Sequence, residues 1–565
     1  MVLDPPPARE LTLFAVVVGC SIGALVAVAN VYLALTVGIW DGGATIAVLV
    51  SAPLLGLFAR TRGLRGSLLE TNIAVTASVA VSAMPAAAGM TAAIPAMRLL
   101  GQEPGAWHLI FLGLGLGWMG VALAGAFRPR LLVTEALPFP SSVATAELML
   151  ALHHTATRAR ALGLWVAGLA ALTLTTLREG LDLFPAVAFW PGSILGFPAR
   201  TLSVGWSLSP MLFGLGALLG PSMSLGMLAG GLASWIGIAP LLSRRGVLGD
   251  LSYQTLVSWM IWPALGLMLV PSLLAVVQLL RAVVARASAR VAEHPSGTPN
   301  ARPPGRGWLV ALFTIGGLLV LWAGLHTFWM PPVALGAAIV LAPLLSAACA
   351  RVAGQTDVAP LGPFGQLSQA MTAAFCQGRV AASLGAGAVV SGAATQACFG
   401  LGTLRTGRML GASPSRQLLA QTIGVASGSV VAALAYSLLL GTRTLGSAAL
   451  PAPWAQQWKA FAELSTRGSS GIPDLALPAL GAGLALGLCL LIRARRLRWL
   501  PSPVALGAGL ILPLHFSATV VLGALVASAA ARTRPGWASS HVQPVGSGLI
   551  LGEALGSVLA ALCCG

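Results

Sequence analysis

Long apolar runs separated by short polar loops follow one another along almost the whole chain. A membrane-spanning helix needs about 20 predominantly apolar residues. Runs that meet this requirement lie at 11–39, 43–59, 72–97, 107–127, 161–177, 222–242, 254–280, 308–328, 332–350, 417–440, 474–492 and 545–563. Three further apolar stretches, 138–152, 366–400 and 501–531, are short or interrupted. The pattern predicts an all-α polytopic integral membrane protein with roughly 14–16 transmembrane segments, including broken or re-entrant ones.

The longest polar interruption near the middle of the chain is 281–307, which is rich in arginine. It predicts a cytoplasmic linker between an N-terminal transmembrane half, 1–280, and a C-terminal transmembrane half, 308–565. We predict that the halves are pseudo-repeats, because Leu137-Pro-Phe-Pro140 and Leu500-Pro-Ser-Pro503 each introduce an interrupted stretch. Corresponding interrupted segments in two halves are typical of a transporter binding site.

Charge is scarce and mostly positive. Charged residues make up 8% of the chain and hydrophobic residues 57%, and the net charge is +17. Arginines cluster between apolar runs, as at Arg60, Arg62 and Arg65, which is the distribution of cytoplasmic loops. This distribution argues against nucleic acid as a partner and predicts a multi-pass protein in lipid, in the cell (inner or plasma) membrane, with a cytoplasmic N-terminus. Positive charge on both sides of 501–531, together with its prolines, favours a re-entrant hairpin there.

The first apolar run, 11–39, is too long for the core of a signal peptide and more spans follow it, so it predicts a retained transmembrane helix.

The alternation of loops across the membrane fails between 178 and 281. Either 208–220 or 254–280 is therefore misassigned, and the sequence leaves open which.

Motifs for catalysis, metals and cofactors are missing from the sequence. The seven cysteines form no CxxC and no Cys/His metal spacing. The sequence has no Walker A motif, no HExxH and no GxSxG, and the GxGxxG match beginning at Gly115 lies inside an apolar run. We therefore predict no metal site, no cofactor and no enzymatic activity.

Three glutamates stand in or beside apolar segments: Glu70, Glu147 and Glu553. A carboxylate at bilayer depth costs about 2.5–3.5 kcal/mol, so such a group usually faces a cavity or a partner. Desolvation also raises its pKa, which suits a proton-coupling site. The alternatives are that Glu70 is an interfacial residue at a helix N-terminus, and that the glycines around Glu553 serve only close helix packing.

Polar amides in apolar segments form a second set of candidates. Asn30 lies deep in the first run, Asn72 begins the third, and Gln396 lies in 366–400. Each has the donors and acceptors to bind a peptide backbone or a chelate. Each can equally bond a neighbouring helix.

A series of short fragments, in order, makes the chain similar to a known family. They are Asn30-Val-Tyr-Leu-Ala-Leu-Thr-Val-Gly38, Glu70-Thr-Asn-Ile73, Leu137-Pro-Phe-Pro140, Ala144-Thr-Ala-Glu-Leu148, Gly205-Trp-Ser-Leu-Ser-Pro210, Gly220-Pro221, Leu228-Ala-Gly-Gly231, Leu404-Arg-Thr-Gly407, Gly411-Ala-Ser-Pro414, Gln417, Leu500-Pro-Ser-Pro503, Ser547-Gly-Leu-Ile550 and Gly552-Glu-Ala554. On these residues the chain resembles the oligopeptide transporter family, which includes the yellow-stripe-like metal–chelate transporters.

The resemblance implies a proton-coupled secondary transporter that takes up short oligopeptides across the cell membrane. The same resemblance also allows a second cargo, so the alternative function is proton-coupled uptake of metal–chelate complexes. Carried over to matching positions, Glu70, Glu147 and Glu553 are the leading polar residues. The family's Asp-Leu-Lys-Thr-Gly stretch appears here as Thr403-Leu-Arg405-Thr-Gly407, which makes Arg405 a further candidate and puts the usual coupling in doubt.

Other readings stay open at this point. The cargo is a small molecule, a peptide or a metal chelate, and protons are the second expected partner. A homo-oligomer is compatible with the sequence. A membrane-embedded enzyme would need catalytic residues that the sequence lacks, and a channel would need repeated filter residues or strict oligomeric symmetry.

Overall fold

The structure is a computed structural model that describes residues 9–61, 67–154, 158–288, 305–468, 475–494 and 500–564. The helices before the central linker are α1 (Leu13–Val37), α2 (Ala44–Thr61), α3 (Leu68–Ser82), α4 (Met84–Ala87), α5 (Ala93–Arg98), α6 (Ala106–Arg128), α7 (Pro140–His154), α8 (Arg158–Glu179), α9 (Pro210–Leu232), α10 (Ala239–Arg244) and α11 (Tyr253–Ser288). Those after it are α12 (Arg306–Thr327), α13 (Pro332–Thr356), α14 (Leu361–Thr372), α15 (Val380–Leu410), α16 (Pro414–Thr442), α17 (Pro453–Arg467), α18 (Ala476–Ala494), α19 (Pro503–Ile511), α20 (Leu514–Thr533) and α21 (Pro535–Cys564).

Short irregular elements complete the described chain. Two π-helical turns, Pro129–Thr134 and Ala233–Ile238, extend α6 and join α9 to α10, and a 3₁₀ turn follows α14 at Ala373–Cys376. Four strands lie between α8 and α9: β1 (Val187–Phe189), β2 (Ser193–Ile194), β3 (Phe197–Pro198) and β4 (Gly205–Ser207). They form two antiparallel pairs, β1 with β4 and β2 with β3, in which Val187 faces Ser207 and Ser193 faces Pro198.

The predicted fold class is confirmed. Within the described residues, 13 helices are long and apolar enough to cross a membrane. α15 is almost wholly buried and forms the centre of the bundle, whereas α12 and α18 keep most of their apolar surface exposed. A helix that is apolar all round and exposed on the outside of a bundle is suited to contact with lipid. The protein is therefore a multi-pass membrane protein.

One predicted span, 72–97, is wrong as a single helix, and the interrupted stretch 366–400 is also divided. The run 72–97 is divided into α3, α4 and α5, because Pro85 lacks an N–H and Gly89 takes a positive φ of 73°. The stretch 366–400 is divided into α14 and α15, and the break falls at Gln377 and Gly378, which both have positive φ. Each break leaves a segment that is too short to cross a bilayer beside a longer neighbour.

The span boundaries between 178 and 281 also differ from the prediction. The runs 208–220 and 222–242 belong to one element, which continues from α9 through the π-helical turn into α10, with a kink at Gly220. Helix α11 continues to Ser288, past the predicted start of the linker at 281. The rest of the predicted linker, 289–304, lies outside the described residues, as do Arg62 and Arg65.

The stretch 501–531 is divided between Ile511 and Leu514 into α19 and α20. A Cβ on Gly226 would contact Ala505 and one on Gly230 would contact Leu506, so α19 runs parallel to this part of α9. A Cβ on Gly216 would meet Val520, and one on Gly523 would meet Phe213, so α20 runs antiparallel to that part of α9. Because α20 is by itself long and apolar enough to cross a membrane, the re-entrant hairpin stays a prediction.

The break between α19 and α20 needs hydrogen-bond donors, because it frees carbonyl groups away from water. The indole of Trp235 donates to the carbonyl of Leu512 at 3.0 Å, and the hydroxyl of Tyr253 donates to that of Ile511 at 3.1 Å. The strand region also docks here, since Ser203 and His515 share a hydrogen bond of 2.8 Å. The buried His515 is therefore a packing residue with a partner.

Candidate functional site

A polar cavity of about 440 Å³ lies beside α15. Its walls come from the segment between α1 and α2, and from α3, α7, the end of α13, α15 and α21. The polar residues that line it are Asp41, Thr45, Asn72, Thr76, Ser141, Ser142, Thr145, Asp357, Thr403, Thr406 and Gln543. Several of these walls are ends of helices, so backbone groups as well as side chains face the cavity.

The connecting segment 38–43 carries Asp41 to the cavity. Gly38 has a φ of 78° and ends α1 in the left-handed conformation. The chain then turns back along α1, and a Cβ on Gly43 would lie 2.7 Å from the side chain of Val26. Asp41 is consequently held at the level of the middle of α1, well inside the bundle.

Asn30 fixes this segment by hydrogen bonds to its backbone. The Asn30 side-chain amide donates to the carbonyl of Asp41 at 2.7 Å and to that of Ser82 at 2.9 Å. Its side-chain carbonyl accepts from the N–H of Asp41 at 3.2 Å. Asn30 thus joins α1, the cavity segment and the end of α3.

The Asp41 carboxylate keeps solvent-accessible surface in the cavity, although protein surrounds the segment that carries it. It accepts a hydrogen bond from the N–H of Gly43 at 3.1 Å. Desolvation by the surrounding protein raises the pKa of Asp41 above its ordinary value, and the backbone N–H groups of Gly43 and Gly42 oppose this effect. Asp41 therefore takes up a proton at higher pH than a fully solvated aspartate does.

The short helix α7 begins at the cavity and is tied to two neighbouring helices. Asp357, at the end of α13, accepts from the N–H of Ser141 at 3.0 Å and also from its hydroxyl. An acceptor at this place satisfies free N–H groups of the first helical turn. Thr406 on α15 donates to the carbonyl of Ser142 at 3.0 Å. The start of α7 is therefore positioned from both sides.

Glutamines on α16 fix the α15 wall. The Gln417 amide donates to the carbonyl of Thr403 at 2.9 Å and to the hydroxyl of Thr76 on α3 at 3.3 Å. The Gln421 amide donates to the hydroxyl of Thr403 at 3.0 Å. Thr403, which stands where the resembled family has Asp, is thus a hydrogen-bonded wall residue of the cavity.

The candidate residues from the sequence fall in different places. Asn72 lines the cavity, and Asn30 positions its Asp41 segment. Glu70 lies two residues before Asn72 on α3, so it points to a different face of the helix; it is half-buried and does not line the cavity. Glu147 is exposed and does not line it either, although four positions around it on α7 do: Ser142, Ala144, Thr145 and Leu148.

The other three candidates, which are on α15 and α21, do not line the cavity. Gln396 is fully buried against α6, where a Cβ on Gly120 would lie 2.5 Å from it. Arg405 is half-buried between the lining residues Thr403 and Thr406, without lining the cavity itself. Glu553 belongs to a different cluster.

Glu553 is 1% exposed and is surrounded by donors. It pairs with Arg178 at 3.1 Å and accepts from the hydroxyl of Ser209 at 2.8 Å and from the N–H of Met211 at 2.7 Å. Arg178 also binds Glu179 at 2.7 Å. These donors supply the hydrogen bonds that a carboxylate removed from water requires.

Arg443 extends this cluster towards α1. It pairs with Glu179 and lies over the ring of Tyr32, 5.2 Å from the ring centroid. Burial lowers the pKa of Arg443, but the neighbouring Tyr32 and Glu179 outweigh it, so the net pKa is raised. We call Arg178, Glu179, Arg443 and Glu553 the charge cluster; it joins α8 and α21 to the end of α16.

The cavity and the charge cluster lie towards different ends of α16. Glu10, near the N-terminus, accepts from the N–H of Ser413 at 2.6 Å, just before α16 begins. The Ser67 hydroxyl donates to the carbonyl of Arg9 at 2.6 Å, just before α3 begins. The cavity therefore lies towards the N-terminal end of α16, and the charge cluster lies at the other end.

Sequence reasoning did not identify Asp41 or Asp357. Both stand between apolar runs, where an acidic residue reads as an ordinary loop residue. The one signal was the pair of glycines after Asp41, which permits a tight turn back into the bundle. Within the described residues, no group of three or more His, Cys, Asp or Glu side chains is arranged to hold a metal ion.

Replacing Asn30 with leucine is expected to destabilise the folded protein by about 2–4 kcal/mol, because three buried backbone groups lose their partner. A thermal unfolding series in detergent measures this. Asn30→Gln is the matched control: it keeps both the amide donor and the carbonyl acceptor on a longer side chain, so a smaller loss is expected. Equal stability of Asn30→Leu and wild type would contradict the assigned role.

The fold and the cavity place the protein in the class of polytopic membrane proteins that hold a polar site between broken helices. Its sequence matches the family described as OPT oligopeptide transporter protein over residues 10–564. The chain therefore belongs to the OPT family.

Individual relatives carry two kinds of name. A putative oligopeptide transporter of Saccharomyces cerevisiae is 28% identical over 244 residues, which cover 41% of this chain and 33% of that protein. The probable metal-nicotianamine transporter YSL9 of Oryza sativa subsp. japonica is 29% identical over 231 residues, 39% of this chain and 33% of the relative. The probable metal-nicotianamine transporter YSL10 of the same plant is 23% identical over 625 residues, which cover 97% of this chain and 89% of that protein. The first two matches thus span a third of each relative.

Proposed function

We propose that this protein is a secondary active transporter that couples the uptake of short oligopeptides to protons. The observation that carries the proposal is the cavity between the segment 38–43, the start of α7 and the end of α13, with Asp41 inside it. Broken segments that meet at a polar site are the arrangement used by secondary transporters. Family membership and the relatives named as oligopeptide transporters support the same assignment.

We place the N-terminus in the cytoplasm of a cell-membrane protein, from the arginine clusters. The cavity then lies in the cytoplasmic half, and the charge cluster closes the opposite half. In alternating access, the two ends open in turn around one site. We further propose that the segments 1–280 and 308–565 are the pseudo-repeated units of this exchange, joined by the linker 281–307. This mechanism applies equally to a monomer and to a homo-oligomer.

Asp41 is the carboxylate best placed to carry the coupling proton, because Glu70, Glu147 and Glu553 do not line the cavity. Because its pKa is raised, Asp41 becomes protonated at a higher pH than an ordinary aspartate does. A proton arriving from the acidic side neutralises Asp41, and a proton leaving to the neutral side restores its charge. The affinity for cargo changes with that charge, which is the differential interaction that coupling requires.

Replacing Asp41 with asparagine is expected to abolish the stimulation of uptake by an inward proton gradient. In the wild type we expect a stimulation of about tenfold, within the usual range of coupling between two ligands. The measurement is uptake of labelled trialanine into liposomes that contain the purified protein, with and without the gradient. Exchange of labelled for unlabelled peptide should persist in the variant, because it needs no net proton movement.

Glu147→Gln is the matched control, since the exposed Glu147 lies on the same cavity helix outside the lining. It should retain the stimulation. Stimulation that survives in Asp41→Asn and disappears in Glu70→Gln, Glu147→Gln or Glu553→Gln would move the coupling site to the residue concerned. Absence of gradient-driven uptake in the wild type, for both peptides and chelates, would refute proton coupling.

Uptake of metal chelates is the alternative, and relatives named as metal-nicotianamine transporters favour it. A chelate brings its own metal ligands, so it needs no protein metal site. Replacing trialanine with iron chelates in the same assay separates the two cargoes. Saturable uptake of chelates alone would assign the protein to that branch.

A further inference from the structure

The ionisable side chains that line the cavity are all acidic. Among the described lining residues, Asp41 and Asp357 are the only Asp or Glu, and none is Arg, Lys or His. This contrasts with the composition of the chain, in which 32 basic residues outnumber 15 acidic ones. The formal charge of the cavity lining is thus negative, whereas the net charge of the whole protein is positive.

Basic side chains near the cavity are directed to other partners. Arg351 binds Glu135, and Arg408 donates to the carbonyl of Leu132. Arg405 lies beside the lining residues of α15 but outside the lining. Charged groups in a cavity with walls of low dielectric constant act more strongly than they do in bulk water. The cavity therefore attracts cations and repels anions.

Asn72 adds an independent sign that a ligand binds here. It lines the cavity, its side chain is 1% exposed, and its Nδ2 donor has no partner among the described residues. A buried donor without a partner is uncommon and calls for an unseen acceptor. A carbonyl or carboxylate oxygen of a bound molecule is such an acceptor.

We propose that the cavity selects small organic cations: cargo whose ammonium group pairs with Asp357 and whose carbonyl or carboxylate oxygen accepts from Asn72. This inference rests on the proposed transport function and adds its charge selectivity. Asp357 lines the cavity and is exposed there, while it also caps α7. Asp41 adds to the negative field whenever it is ionised and stays available for the coupling proton. Chelates of net negative charge are disfavoured by the same field.

The test compares tripeptides that differ in one central charge: Ala-Lys-Ala, Ala-Ala-Ala and Ala-Glu-Ala. Each competes with labelled Ala-Ala-Ala for uptake by the full-length protein in liposomes, with the membrane potential clamped at zero. We expect Ala-Lys-Ala to compete at least about tenfold better than Ala-Glu-Ala, because of a single favourable charge pair. Asp357→Asn, which keeps an oxygen acceptor for Ser141 but removes the charge, should reduce this ratio to about threefold or less.

Two variants distinguish charge selection from general damage. Asn72→Leu should weaken all three peptides to a similar degree and leave their ratio unchanged, because it removes a donor and no charge. Glu463→Gln removes a half-buried carboxylate that pairs with Lys459, outside the cavity, and should change neither affinity nor ratio. A wild-type ratio near one, or a preference for Ala-Glu-Ala, would overturn the inference.

Binding is measured separately, as stabilisation of the detergent-solubilised protein by each peptide on heating. Uptake without charge preference refutes the inference and leaves the transport proposal intact. Charge-selective stabilisation without uptake supports the inference and refutes peptide transport. Absence of both stabilisation and uptake refutes both for peptides. An iron chelate of net negative charge that binds more tightly than Ala-Lys-Ala would also overturn the charge selectivity.

Discussion

Replacing Gly216 with alanine is expected to leave little correctly folded protein. A Cβ on Gly216 would lie 1.8 Å from the carbonyl oxygen of Val520, which no real contact permits. The reciprocal contact is as close, since a Cβ on Gly523 would lie 2.0 Å from the carbonyl oxygen of Phe213. α9 and α20 therefore touch backbone to backbone, and neither helix has a flexible side chain there that can move aside.

The expected destabilisation is about 3 kcal/mol or more, the upper range for overpacking of a close-packed interface. Small residues at helix contacts in membranes permit the close approach that provides the van der Waals attraction. An added methyl group separates the helices along their length. Because α9 also packs against α19, the separation disturbs more than one contact.

The measurement is the monodisperse fraction after size-exclusion chromatography in detergent, followed by thermal unfolding of that fraction. Gly317→Ala is the matched control, because a Cβ there, in the middle of α12, meets nothing within 4 Å. Alanine is a better helix former than glycine by about 1 kcal/mol, so this control should be as stable as wild type or slightly more stable. Equal behaviour of the two variants would contradict the backbone contact.

Replacing Glu553 with glutamine is expected to destabilise the protein by about 3–5 kcal/mol, as breaking a buried ion pair usually does. The pair is deeply buried, with the side chain of Glu553 1% exposed and that of Arg178 5% exposed. Glutamine keeps the shape and one acceptor, but it has no charge and presents an NH₂ group to donors. Arg178 would keep only Glu179 as its counterion.

The control for this prediction is Glu463→Gln, because the Lys459–Glu463 pair is about a third exposed at 4.0 Å. Exposed or half-exposed pairs contribute about 1 kcal/mol or less. Thermal unfolding compares the two variants, and uptake in liposomes is measured on the same samples. A Glu553→Gln protein with the stability of wild type but without proton stimulation would establish Glu553 as the coupling residue, as the sequence alone suggests.

The charge cluster also explains why depth in an apolar run is an incomplete guide to function. Glu553 is the deepest glutamate in the sequence, and its three donors come from residues far away along the chain. An apolar run in the sequence indicates that such a buried carboxylate needs hydrogen-bond donors, but it does not identify the residues that supply them. Asp41 is the reverse case, because it reads as a loop residue and the chain folds it back into the bundle beside Asn30.

The sequence by itself determined the fold class, most of the membrane spans and the family. Those follow from the length and spacing of apolar runs, since a bilayer accepts only helices of sufficient length whose backbone groups are satisfied. It also indicated that 138–152, 366–400 and 501–531 are short or interrupted, but not the break at Pro85 and Gly89 in 72–97.

Only the tertiary structure decided which polar residues meet. Asp41, Asn72, Asp357 and Thr403 come from four separate parts of the chain, and they share a cavity because their helices pack around α15. Glu70, Glu147 and Glu553 lie outside this cavity, although each stands in a comparable sequence setting. The physical reason is that a side chain's surroundings depend on long-range helix packing, which apolar periodicity along one segment does not encode.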